Sequence, residues 1–272
     1  MKLLKNFNKT YGIEGYTAIP FFSSSEDSVM LQTAITQKMA IWGIDQESQM
    51  SFPYHLSKVF NDLSPALKVQ NKSLLDSLMK KWYFPKEELL DSLSKLSKDK
   101  ENMTRLEEVK LSEDIYANYG EDKFQMNSDR AKLMKKHFYS YLKTSEKQNS
   151  QAQKIFFKMG SNHLAKGFNL ETHQLDMGNL AHELAIMKGS SYTNVQFIQR
   201  LSKNNKGVVV DEMLQKTSEY SKFFMAHSQK DKWVVIDLKP LRAALKHDKT
   251  LDEVTYEIIE KYDTIILSPE IN

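Results

Sequence analysis

The chain has 272 residues, 40% hydrophobic and 27% charged, which suits one large domain or two small ones and excludes a disordered or membrane-embedded chain by composition. Its 38 basic and 35 acidic residues leave a net charge of +3, too weak a field to favour nucleic acid or anionic lipid as a partner. There is no cysteine, which excludes disulfides, thiolate nucleophiles and Cys-ligated zinc.

The opening stretch MKLLKNFNKTYGIEG is basic like a signal peptide but lacks an apolar run, and no segment approaches the ~20 apolar residues of a membrane helix. The compartment stays open. Ser25-Glu26-Asp27 resembles a helix start, and Val29, Leu31, Ala34 and Ile35 continue an apolar face to about residue 38. Residues 39–44 form a short apolar run ended by Asp45-Gln46-Glu47, which reads as a buried strand with polar groups at its C-terminal end.

Residues 54–117 read as helical almost throughout. Leu74, Leu75, Leu78 and Met79, then Leu89, Leu90, Leu93 and Leu96, recur at helical spacing, with Pro65 and Pro85 as starts or breaks. The segment predicts a helical insertion or cap over 51–119, with 1–50 and 120–272 as one α/β sheet domain. Asn127-Ser128-Asp129 reads as the cap of a long helix over 129–147, with Leu133, Met134, His137, Phe138, Tyr141 and Leu142 on one face.

The second half alternates. Strands are expected at 154–159, 193–199, 233–238 and 264–267, and helices at 176–188, 212–228, 240–247 and 251–261, with Gly189 as a helix stop. The expected fold class is α/β: a mostly parallel or mixed central sheet flanked by helices. In such a fold the loop leaving the C-terminal end of a strand is where ligands and catalytic groups gather. That rule directs attention to KIFFKMGSNHLAKG, residues 154–167, where an apolar run enters a Gly-Ser-Asn-His turn.

Three segments in order, IWGIDQES (41–48), NSDRAKLMKKHF (127–138) and KIFFKMGSNHLAKG, resemble the erythromycin esterase-like proteins and their Tiki/TraB-type relatives. That family carries a WGxD strand end, an Arg-Asp helix start and a strand ending in a His-containing loop, followed by a GxxL segment to which DMGNLAHEL (176–184) is similar. The resemblance spans roughly residues 20–200. It implies a hydrolase-family domain acting on or binding an ester or acyl small molecule, without a cofactor. The chain departs from the pattern at Gly160, where the family places the first histidine of its loop. It also contains no Gly-Glu-x-x-His string, so the expectation is a version that is truncated or lacks the catalytic half. An incomplete sheet would leave an exposed edge, and a homo-oligomer through that edge is expected.

His163 is the candidate catalytic residue: an imidazole near neutrality serves as general acid or base, and its alternative role is to tie the loop to the backbone. Asn162 is a candidate for orienting a ligand oxygen or capping the next turn. Asp45 and Glu47, at a predicted strand end, are candidates for substrate binding or for orienting an imidazole. Arg130 is a candidate for anchoring an anionic or carbonyl group, or else for a structural salt bridge with a carboxylate such as Asp45. His173 and Asp176 follow His163 without the tight spacing of a metal motif, so no metal is expected. The alternatives are a non-catalytic ligand-binding protein on the same scaffold and a metal-dependent hydrolase.

Overall fold

A computed structural model describes residues 25–73, 76, 87–118, 122–148, 153–203, 208–214, 222–245 and 251–269. The chain divides into two compact units, 1–158 and 159–272. The leucine repeat at 74–79 and Pro85 lie outside the described residues.

The described part of the first unit is helical. Helix α1 spans Ser25–Thr36, α2 spans Phe52–Asp62, α3 spans Pro65–Gln70, α4 spans Glu87–Leu96 and α5 spans Lys100–Ala117. The long helix α6 spans Lys123–Gln148. Proline starts α2 and α3, where its missing N–H costs no intrahelical bond. Phe52, Leu56 and Val59 recur along one face of α2 and, with Leu63 just past its end, meet Leu90, Leu93, Leu106 and Val109 of α4 and α5 in one buried cluster. Lys110 of α5 reaches across to α4, its Nζ 2.9 Å from Glu87 and 3.2 Å from Asp91.

Helix α6 begins at Lys123, earlier than the start at 129 that the sequence predicts. The Asp122 carboxylate accepts from the Gln125 N–H at 2.9 Å and so supplies the cap. Asn127 is interior instead, donating from its side chain to the Lys123 carbonyl at 2.7 Å. Arg130 therefore sits two turns inside the helix rather than at its start.

The run 39–44 forms no strand. Met39 and Ile41 are exposed and only Ile44 is buried, so the segment lacks the two-sided burial that a central strand needs. It is held by side chains: Trp42 stacks on Tyr141 (ring centroids 5.7 Å) and meets Phe138 (6.1 Å). Residues 154–159 likewise form no strand. Phe156 is exposed, while Phe157 packs on Phe138 with ring centroids 5.2 Å apart.

The second unit holds the strands. A short helix α7, Ser161–Leu164, precedes α8, Met177–Met187. Strand β1 is Val195–Ile198, β2 is Leu201–Lys203 and β3 is Val209–Asp211. Helix α9, Lys222–Met225, leads to β4, Val234–Asp237. Then come α10, Lys239–Leu245, α11, Glu253–Lys261, and β5, Thr264–Leu267. The expected helix over 212–228 is described as a 3-10 turn, Glu212–Leu214, and α9, with the residues between them outside the described set.

The sheet is smaller than expected. Its order is β1-β5-β4, with β1 and β5 parallel and β5 and β4 antiparallel, beside a separate β2-β3 hairpin. The fold is thus α/β in character, with a small mixed sheet. Ile198, Ile265 and Leu267 face inward and join Ile258, Ile259 and Tyr262 at α11 in the core of this unit. Gly189 ends α8 with φ of 61°, a left-handed conformation that glycine adopts without strain, as the sequence predicts for a helix stop.

Candidate functional site

His163 lies in α7, and its Nδ1 is 2.7 Å from Oδ2 of Asp176. A carboxylate only accepts, so Nδ1 carries the proton and Nε2 is left as the basic nitrogen. Asp176 is almost fully buried, with 3% of its side chain exposed against 15% for His163. Its second oxygen, Oδ1, accepts from the Met177 N–H at 2.8 Å and caps α8. One carboxylate therefore fixes both the helix start and the imidazole.

Three contacts hold the turn that carries His163. The Tyr262 hydroxyl donates to the Ser161 carbonyl at 2.9 Å. The Asn194 side-chain amide donates to the Leu164 carbonyl. The Lys166 N–H donates to the Lys261 carbonyl at 3.2 Å. Asn194 immediately precedes β1, and Tyr262 and Lys261 lie just before β5. The His163 turn is consequently attached at the N-terminal ends of the two parallel strands. This corrects the expectation of a site at strand C-terminal ends, which rested on 154–159 being a strand. Asn162 is half-buried in the same turn, and its side chain makes no hydrogen bond among the described residues.

Beside this turn lies a buried charge cluster. Asp263 accepts from Lys166 Nζ at 2.8 Å, Arg242 Nη2 at 3.1 Å and the Asn194 N–H at 2.9 Å. Burial pushes its carboxyl up, but these donors and the Lys166 charge outweigh burial and hold it below the usual carboxylate range. Burial, reinforced by the Asp263 charge, pushes the Tyr192 phenol up to about 12.

The remaining candidates lie in the first unit. Arg130 clamps Asp45 through two nitrogens, Nε to Oδ1 at 2.8 Å and Nη2 to Oδ2. The pair is half-buried, and this geometry is the salt bridge that the sequence offered as the structural alternative for Arg130. Glu47 orients an imidazole, but that of His55: Nε2 lies 2.9 Å from Oε2, which also accepts from the Ser51 hydroxyl at 2.9 Å. The Glu47 N–H donates to Ser112 Oγ at 2.8 Å. Burial pushes the Glu47 carboxyl up, yet the His55 hydrogen bond and charge, the Ser51 hydroxyl and the Arg105 charge together bring it below its ordinary value.

His137 repeats the pattern. Its Nε2 lies 3.5 Å from Glu108 and its Nδ1 lies 3.2 Å from the Ile44 carbonyl. Sequence reasoning left His55 and His137 without a role, because their carboxylate partners stand 8 and 29 residues away without any motif linking them. Among the described residues no group of three His, Asp or Glu side chains is arranged to hold a metal ion. No described helix is long and apolar enough to cross a membrane. No family model, curated protein or solved structure matches this chain.

Proposed function

We propose that the chain is an esterase-like hydrolase-family protein whose second unit uses His163 as a general base toward an ester or acyl small molecule. The contact of Nδ1 with the buried Asp176 carboxylate carries this reading. It sets the tautomer, restrains the ring and stabilises the imidazolium that forms when Nε2 takes a proton from water. The water adds to the acyl carbon, the carbonyl becomes an oxyanion, and the imidazolium returns its proton to the departing alcohol. The resemblance of segments 41–48, 127–138 and 154–167 to the erythromycin esterase-like family supports the acyl class. In the same reading the helical segment 51–119 is a cap insertion. The edge strands β1 and β4 offer the surface for a homo-oligomer, which a sizing column tests.

The test is hydrolysis of a panel of aryl, alkyl and lactone esters by the full chain and by His163→Ala. Turnover lost in the variant supports the reading. Turnover absent from both, or equal in both, sinks it.

Gly160 favours a second reading, since it stands where the family has a histidine: a ligand-binding protein on the same scaffold without turnover. Here acyl ligands raise the melting temperature of the unsubstituted chain and not that of His163→Ala, and no product forms. A panel of ligands that leaves both melting temperatures unchanged rejects it.

A further inference from the structure

Helix α7, which carries His163, has only four residues. A helix leaves its last four carbonyls without an intrahelical partner, and in Ser161–Leu164 that is every carbonyl. Gly160 at its N-cap has no side chain to offer, and a single isolated turn is unstable in water. This turn nevertheless sets where the His163 ring stands, so the position of the ring comes from groups outside α7.

Two buried side chains grip its first and last carbonyls. Tyr262, 1% exposed, donates from its hydroxyl to the Ser161 carbonyl at 2.9 Å. Asn194, 3% exposed, donates from its side-chain amide to the Leu164 carbonyl, and to the Lys261 carbonyl at 3.3 Å. Helix α8 rests its Gly178 backbone against that same Leu164 carbonyl. Asn194 thereby fixes the surface on which the helix capped by Asp176 lies. Neither side chain is needed to hold its own backbone. The Asn194 N–H donates to Asp263 Oδ2 at 2.9 Å, and its carbonyl accepts from the Asp263 and Thr264 N–H groups at 2.9 and 3.1 Å. The Tyr262 N–H donates to the Ile258 carbonyl at 3.1 Å, and its ring packs in the core.

We infer that Asn194 and Tyr262 are positioning residues for the His163–Asp176 pair, acting through the two carbonyls of α7. Their effect on turnover rests on the reading of His163 as a general base, whereas their effect on the imidazole does not. Asparagine is the residue the first grip requires. An aspartate of the same shape would turn lone pairs toward two carbonyl oxygens and could donate to neither. The second grip requires only the hydroxyl, so phenylalanine would keep the core and lose the contact.

The test compares Asn194→Asp and Tyr262→Phe with Ile265→Val, a change in the same core that removes neither contact. The tautomer of His163 is read from its ring-nitrogen NMR signals in the full chain, at a pH where the imidazole is neutral. In the unsubstituted chain the proton is expected on Nδ1, facing Asp176. Both positioning variants are expected to shift the ring toward a mixture of the two tautomers. Ile265→Val is expected to lower the melting temperature and to keep the tautomer. For the best ester substrate, kcat should fall toward about 10²-fold, the scale of a misplaced catalytic group, with KM near its original value. A tautomer left unchanged removes that residue from the role, and in both variants it overturns the inference. The same shift in Ile265→Val overturns it too, since mere loss of stability would then suffice. If Asn194→Asp does not fold, Tyr262→Phe carries the comparison. An unsubstituted chain that hydrolyses nothing sinks the hydrolase reading alone, and the tautomers still decide whether these two residues place the ring.

Discussion

Gly178 stands against the Leu164 carbonyl so closely that a Cβ at 178 would overlap both the carbonyl carbon and its oxygen. This crossing brings the first turn of α8 onto α7, and with it Asp176 onto His163. Gly178→Ala is expected to force the two helices apart and to lengthen the His163–Asp176 contact. Overpacking of this kind costs about 1–3 kcal/mol, more where backbone must move. The expected fall in melting temperature is roughly 2–4 °C per kcal/mol for a chain of this size. Calorimetry measures the loss, and the His163 ring-nitrogen signals report the broken contact. An unchanged melting temperature and unchanged signals would show that the crossing is not needed.

Asp176→Asn separates the two tasks of that carboxylate. Asparagine is as good a helix cap as aspartate, so α8 is expected to keep its start. The imidazole, however, loses the negative charge that stabilises its protonated form. If His163 acts as a general base, turnover of the best ester should fall about 10²-fold or more, on the scale of losing acid–base catalysis. Circular dichroism and the melting temperature should move far less. Equal loss of structure and turnover would reduce Asp176 to a scaffold residue.

How much of this was legible in the sequence depends on the range of the interaction that decides it. Helix α6 follows from its own periodicity: of the expected face Leu133, Met134, Phe138 and Leu142 are buried, while His137 is half-buried and Tyr141 exposed. The start of α11 follows from Asp252, whose carboxylate accepts from the Thr255 N–H at 2.8 Å. Strands β4 and β5 also fall where their β-branched runs predict. The runs 39–44 and 154–159 look similar locally but acquire no ladder, because a strand is made by a partner distant in sequence and not by its own hydrophobicity. The site divides in the same way. The Arg130–Asp45 pair was read as an alternative from residue type alone. The His163–Asp176 contact was not, since it depends on the close crossing at Gly178 that no spacing rule encodes. The His55–Glu47 pair is not legible in this way, because 39–44 reads as a strand, whose end would aim Glu47 elsewhere.

Asp263 predicts the acid limb of stability. Its folded pKa is depressed, so the stability it contributes is present above its unfolded value of ~3.9 and is lost as pH falls through the folded value. Asp263→Asn removes that dependence and leaves Lys166 and Arg242 without their shared counter-charge. The cost at neutral pH is expected to be about 3 kcal/mol, the lower end for breaking a buried ion pair, since both cations retain some exposure. Urea unfolding between pH 3 and pH 7 measures both effects, with roughly a flatter acid limb in the variant as the signature. A variant that keeps the parent's acid limb would assign it to other carboxylates.

His137 predicts a dependence of opposite sign. The Glu108 hydrogen bond raises its folded pKa, burial opposes this, and the Glu108 charge and the Ile44 carbonyl add to the rise. A raised histidine pKa gives stability that is fully present below the unfolded value of ~6.5 and is lost as pH climbs through the folded value. Stability of the first unit should therefore decline from about pH 6.5 upward, and His137→Gln should abolish that decline. The uncharged side chain retains a donor for the Ile44 carbonyl, so the segment holding Asp45 and Glu47 should stay in place and the charge effect is isolated. Direct NMR titration of the ring supplies the independent check: a midpoint at or below the ordinary histidine value would contradict the Glu108 pairing, whatever the unfolding curves show.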